Sequence, residues 1–195
     1  MEEKKIYLLL TDTGTLFSRL IKCYTKKPYN HASIAFDGEL ATVYSFGRKK
    51  PRNPFLCGFV REDMLSDWFR RANCAIYSLT VTDAQINQMR SYIRELEIQK
   101  ELYCYNLLGV FGVMFNKPIE RKNAFFCSQF VASVLKHCNV IDFTKDVSLI
   151  KPHELPYTAA FQLVYEGKLM AYGMGDLAGE KGAPSVLQGF EVPTT

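Results

Sequence analysis

Apolar and polar positions alternate along the chain in short, separable blocks. KKIYLLLT (4–11) is apolar and bounded by charge, and predicts a first strand. TGTLFSRLIKCYT (13–25) spaces Leu16, Phe17, Leu20, Ile21 and Tyr24 as one helical face, with Thr11 or Asp12 as cap. Pro28 stops that helix. In HASIAFDGELATVYSF (31–46), two runs rich in β-branched and aromatic residues flank Asp37-Gly38, a hairpin signal. GRKKPRNPF (47–55), dense in proline and charge, reads as loop, and CAIYSLTV (74–81) as strand. Thr82 and Gln85 have capping-box spacing at the head of a helix whose stripe is Ile86, Met89, Ile93 and Leu96.

The second half continues the mixture. YNLLGVFGVMF (105–115) is apolar throughout and predicts a buried helix, and KPIERKN (117–123) a loop. FFCSQFVASVL (125–135) puts Phe130, Val131, Val134 and Leu135 at helical spacing behind Cys127, with Asn123 as the expected cap. DFTKDVSLIKPHELP (142–156) is irregular, and FQLVYEGKLMAYG (161–173) reads as two strands around Glu166-Gly167. From Gly173 on, five glycines and two prolines fall in 23 residues without periodicity. The expectation is one α+β domain over 1–172, an antiparallel sheet packed against helices, with a flexible or loosely docked tail over 173–195.

Composition narrows the function classes. The chain has 195 residues, 48% hydrophobic, enough for one substantial core. Net charge is +4, and Lys26-Lys27 and Arg48-Lys49-Lys50 are its noticeable basic clusters. Such dispersed charge reads as a solvated face rather than a nucleic-acid groove. Ile6 to Leu10 is too short for a secretory signal, and no stretch approaches the ~20 apolar residues of a membrane span. A cytoplasmic protein without nucleic-acid partners or stable membrane insertion is expected. Six cysteines (Cys23, Cys57, Cys74, Cys104, Cys127, Cys138) include no C-x-x-C pair and no zinc-type histidine spacing, so neither metal nor other cofactor is expected.

Chemistry centres on Cys127. It is either one more packed thiol or a nucleophile at a helix N-terminus, where partial positive charge favours the thiolate. A nucleophilic cysteine needs a base, and the chain has three histidines. His137 lies ten residues further along the same predicted helix, about 15 Å away, which is out of reach. His153 follows Pro152 in a loop and stays open. His31 opens a strand, a rigid place from which to aim an imidazole, though strand ends also carry structural histidines.

YNHASIAF (29–36) and FFCSQFVASVL together resemble the permuted branch of the NlpC-type papain-like cysteine hydrolases, often called YiiX-like, and more distantly the lecithin:retinol acyltransferase group. His31 precedes Cys127 by 96 residues, the reversed order of that branch. The resemblance spans roughly 6–172 by order of elements and rests on these two motifs and, weakly, LYCYNLLG (102–109). It implies a circularly permuted papain-like fold, Cys127 as nucleophile, His31 as base, and a third group orienting the imidazole from the next strand. In LATVYSFG (40–47) the matching position is Ser45, which cannot offset an imidazolium charge as a carboxylate does; Glu154 or a backbone carbonyl could serve instead. Oxyanion donors would be the Cys127 amide and a phenol from Tyr103 or Tyr105, though core packing with a satisfied hydroxyl is the plainer reading of both tyrosines.

The implied activity is hydrolysis of an amide, peptide or isopeptide, bonds of cell-wall type included, through a Cys127 acyl-enzyme. Thioesterase or acyltransferase chemistry on a lipid or acyl substrate is the alternative, and a catalytically idle binding module on the same fold a third. The expected partner is a small peptide or acyl-amide substrate.

Overall fold

The computed structural model describes residues 4–12, 14, 22, 25–50 and 53–175. The chain is α+β. One antiparallel sheet is built from β1 (Lys4–Thr11), β2 (His31–Ala35), β3 (Val43–Lys50), β4 (Asn53–Glu62), β5 (Asn73–Val81) and a last strand, Gln162–Lys168. A two-stranded parallel pair, β6 (Cys104–Tyr105) with β7 (Ala124–Phe125), stands apart. Numbering the last strand β8, the sheet order is β4-β3-β2-β1-β5-β8. The described helices are α1 (Asp67–Arg70), α2 (Asp83–Ile98), α3 (Leu107–Met114), α4 (Cys127–His137) and α5 (Leu169–Gly175).

Both sheet faces are covered, which explains the unbroken apolar run of central β1. Strand alternation sends Ile6, Leu8 and Leu10 to one face and Leu9 to the other. The first face packs against α2 through Ile86, Met89, Ile93 and Leu96, and against α4 through Phe130, Val131, Val134 and Leu135. The second carries a smaller cluster of Leu9, Ala35, Val43, Cys74 and Ile76, closed by Leu40 and Leu169. The α2 stripe and its Thr82–Gln85 capping box are as the spacing predicts.

Several expectations are corrected. Residues 47–50 and 53–55 are strand rather than loop: β3 runs to Lys50 and β4 starts at Asn53. Pro54 is compatible with strand because β4 is an edge strand, where a missing N–H costs no ladder bond on the open side. Strands β2 and β3 do pair antiparallel, but the connection spans 36–42 rather than an Asp37-Gly38 turn alone. Asp37 holds that wider loop, its carboxylate accepting from the Ala41 amide at 2.7 Å, and Leu40 takes a left-handed φ of 57°. Segment 161–173 is one strand followed by α5, so the boundary at 172 falls inside a helix that continues to Gly175. The rest of the expected tail, and most of the helix expected over 13–25, lie outside the described residues. Asn123 does not cap α4: it has a φ of 54° and leads into β7, and Phe126 is the cap residue.

The largest correction concerns α3. It is helical as expected, but the residues it buries are Gly109 and Gly112. Leu107, Leu108, Phe111 and Phe115 are 47%, 54%, 39% and 71% exposed. No charged residue occurs from Leu107 to Phe115, so its composition reads as core although its position is surface.

Candidate active site

Three neighbouring strands assemble a buried polar cluster. His31 is the first residue of β2, Ser45 lies in β3, and Glu62 is the last residue of β4. Glu62 stands opposite Val43, so it shares a sheet face with Val43 and Ser45. By the same alternation His31 and Ser33 share the matching face of β2. Glu62 therefore leans across β3 toward β2. Its Oε1 contacts His31 Nε2 at 2.6 Å and accepts from Ser45 Oγ at 2.5 Å, while Oε2 accepts from Ser33 Oγ at 2.7 Å. The His31 and Glu62 side chains are 12% and 5% exposed. A carboxylate this buried persists only when paired and hydrogen-bonded, and Glu62 is both.

Ionisation follows from that arrangement. Burial alone pushes the His31 imidazolium toward losing its proton. The Glu62 carboxylate, a hydrogen bond with Cys127 and the Cys127 charge outweigh it, raising the imidazole to about 10. Burial would likewise raise Glu62, but the His31 charge and hydrogen bonds from His31, Ser45 and Ser33 hold it below the usual carboxylate value. At neutral pH the pair is imidazolium and carboxylate. With Nε2 engaged by Glu62, Nδ1 is the ring nitrogen left for the thiol.

Cys127 approaches from the opposite layer. β6 pairs with β7 through Cys104–Ala124 and Tyr105–Phe125, and this fixes the chain just before α4. Phe126 then takes an extended conformation (φ −107°, ψ 170°), and Cys127 is the first helical residue, buried. No side chain caps α4, so the first-turn amides, including that of Cys127, keep their donor capacity. Ser128 Oγ donates to the Ile150 carbonyl at 2.7 Å and ties this helix end to the 150–152 segment.

That segment forms one wall of a narrow slot beside the thiol, with a cavity volume of about 50 Å³. Val110, Val113 and Met114 of α3 face it, with Phe126, Ile150 and Pro152 completing the apolar lining. Thr25, Asn30, Tyr105, Cys127, Ser128 and Lys151 supply its polar groups. Tyr105 is raised well above the usual phenol value, first by burial and then by the charges of Cys127 and Cys57, with Arg48 opposing. It keeps its proton at neutral pH and is a hydrogen-bond donor beside the sulfur.

Of the residues singled out from sequence, His31, Cys127 and Tyr105 come together here. Ser45 is present in a different role: its hydroxyl bonds Glu62, and Glu62, not Ser45, holds the imidazole. Tyr103 packs as an aromatic, stacked on Phe125 with centroids 6.1 Å apart. Glu154 bonds Lys145 Nζ and the Lys151 amide, both at 2.7 Å, and not His31. His137 stacks on Tyr92 at the far end of α4. His153 sits in a 3-10 turn, Pro152–Tyr157, its imidazole pushed down by burial. Glu62 is the residue that sequence reasoning missed. The alternating CGFVRE (57–62) was its signal, and the loop-like GRKKPRNPF before it hid that signal.

Among the described residues no group of three or more His, Cys, Asp or Glu is placed to hold a metal, and no helix is long and apolar enough to cross a membrane. Compared with known proteins, the chain matches no family model, no curated protein and no solved structure.

Proposed function

We propose that the protein is a cysteine hydrolase that cleaves an acyl bond through a Cys127 thioester. The observation that carries this reading is the His31 imidazole held between a buried carboxylate and a thiol at an uncapped helix N-terminus. Free, packed thiols do not require such a partner; activated nucleophiles do.

In the first half-reaction Cys127 attacks the substrate carbonyl carbon as the thiolate, beside the His31 imidazolium that holds the proton, and the carbonyl electron pair moves to oxygen. The α4 first-turn amides and the Tyr105 hydroxyl are the donors available to that oxyanion. Collapse re-forms the carbonyl and breaks the bond to the leaving nitrogen, which takes the proton from His31. In the second half-reaction His31 accepts a proton from water, whose oxygen attacks the thioester carbon. The tetrahedral intermediate expels Cys127 as thiolate and releases the carboxylic acid. Glu62 keeps the ring in register and offsets its charge throughout.

With an amide substrate, peptide or isopeptide and of cell-wall type among the possibilities, the leaving group is an amine. A second reading, ester or thioester cleavage or acyl transfer, is favoured by the slot, whose α3 wall is aliphatic. The idle-module reading loses its main argument, since it rested on a weak third residue and a carboxylate occupies that role.

The test is intact mass spectrometry with peptide mapping after exposure to a panel of peptide amides and acyl esters. A Cys127 acyl adduct that fails to form in His31→Ala supports the reading, and the acyl group that accumulates identifies the substrate class. No adduct with any member, together with Cys127 alkylation that does not change in His31→Ala, overturns it.

A further inference from the structure

The exposed side of α3 is the feature that the chemistry above leaves unused. At 100° per residue, Leu107, Leu108, Phe111 and Phe115 fall within an arc of about 100°. Val110, Val113 and Met114, the slot-lining residues, fall on the adjacent arc. Gly109 and Gly112 face the protein, against Asn106 and the Lys117–Ile119 segment. An octet without a charge, packed to its own domain through glycines, is apolar on every side. Helices of that kind are normally enclosed by core or lipid, and nothing in this chain's described residues covers this one.

Charge identifies the cover. Immediately after the helix, Lys117, Arg121 and Lys122 are all exposed, and none forms a side-chain ion pair among the described residues; Glu120 is the acidic residue between them. An apolar face bordered by net positive charge matches a surface with a hydrocarbon interior and anionic headgroups. A protein groove also covers apolar stripes of this kind, but the cluster of cations beside this one favours an anionic surface, and a protein partner is an outcome of the test below.

We infer that α3 and the 117–122 loop dock the protein on an anionic lipid bilayer, α3 lying in the headgroup plane. The helix is too short to span, so docking is peripheral. Because the slot arc adjoins the docking arc, the bilayer surface meets the mouth of the slot.

Flotation with vesicles tests this, using Cys127→Ala protein so that no acyl chemistry enters. Failure of docking would then leave the proposed hydrolase reading untouched, and failure of that reading would leave docking untouched. The vesicles are phosphatidylcholine alone, or the same with a minority of phosphatidylglycerol. Binding is expected to the mixed vesicles and to be weak on phosphatidylcholine alone. The variant Leu108→Glu/Phe111→Glu, altered at exposed positions only, should lose flotation with an unchanged thermal midpoint. Neutralising Lys117, Arg121 and Lys122 to Gln should lower partitioning on the order of a hundredfold, about fivefold per cation. Absence of flotation by the parent protein, equal binding to both vesicle types, or undiminished binding by the glutamate variant would each overturn the inference. So would a dimer in sedimentation equilibrium that the glutamate variant dissolves, in a protein that does not float.

Discussion

Glu62→Gln is the most informative single change, because it removes a charge while keeping shape and hydrogen-bonding capacity. The Gln carbonyl can accept from His31 Nε2, and its amide can donate to Ser33 or Ser45, whose hydroxyls can also accept. What disappears is the negative charge that is the largest of the effects opposing the burial of His31. The imidazole should then be neutral in the folded protein at pH 7, where the parent carries imidazolium.

Linkage converts this into a stability profile. His31 is raised in the folded state from 6.5 to about 10, so its contribution is fully present below 6.5 and is lost as pH climbs to about 10. Across that interval the unfolded chain releases a proton that the folded chain retains. Stability should therefore fall by about 1.4 kcal/mol per pH unit, on the order of 5 kcal/mol in all. Glu62 is lowered in the folded state, so its contribution is present above 4.5 and is lost as pH falls through its folded value. The pair is worth most between those limits. Cys74 and Cys138, both pushed up to about 11 by burial, add their own alkaline loss, but only above their ordinary value of 9. Urea unfolding at pH steps between 6.5 and 9 isolates the histidine. The parent should show the decline, and Glu62→Gln a nearly flat profile. Brief alkylation on the same samples should show Cys127 reacting more slowly in the variant, since the imidazolium partner is gone. An equal decline in both proteins would refute the assigned pair, and a flat profile in both would refute the imidazolium state itself.

Two further substitutions test the scaffold. Ser45→Glu, which would put a carboxylate at the position expected to orient the imidazole, should unfold the domain or force a buried carboxyl to stay protonated, because position 45 contacts Glu62 Oε1; a cooperative melt at the parent midpoint with raised activity would reverse that conclusion. Gly109→Ala should destabilise by about 1–3 kcal/mol despite alanine's higher helix propensity. Its Cβ would collide with the side chain of fully buried Asn106, which caps α3 through the Gly109 amide and bonds the Ile119 carbonyl, both at 2.9 Å; denaturant melts give the sign.

Local chemistry made much of the fold legible. The Thr82 capping box needs only residues three apart, and the stripe behind Cys127 only helical periodicity. Strand β1 announced itself through its bounding charges. Errors arose where a tertiary setting reverses a local preference. Proline and charge in 47–55 argued for loop, yet Pro54 lies in edge strand β4, and Arg48 to Lys50 continue β3 in its pairing with β4. Uniform apolarity argued that α3 is buried, because periodicity reports which faces are apolar and not whether anything covers them.

The site divides along the same line. Cys127 and His31 were readable because each stands at an element's first residue, where a terminus can be recognised from sequence and a side chain can be aimed. Glu62 was not, because its role depends on three strand registers at once. Val43 must pair with Glu62 and with Ala35, which puts Ser45 and Ser33 beneath the carboxylate and His31 at its far end. Shifting β4 by one residue would turn Glu62 to the other face and bring Arg61, a cation, toward the imidazole. The orienting carboxylate is thus specified by the β3–β4 hairpin as a whole. The aromatic packing of Phe46 and Phe59 on the opposite face, with ring centroids 5.9 Å apart, helps hold that register. Thinning that contact with Phe59→Ala should therefore loosen the Glu62–His31 pair from the far side of the sheet. The measurable consequence is a shallower stability decline between pH 6.5 and 9, in addition to the lower stability at every pH that a core cavity causes. An unchanged slope with only a uniform loss would mean that the hydroxyls of Ser33 and Ser45 position the carboxylate without help from the hairpin's other face.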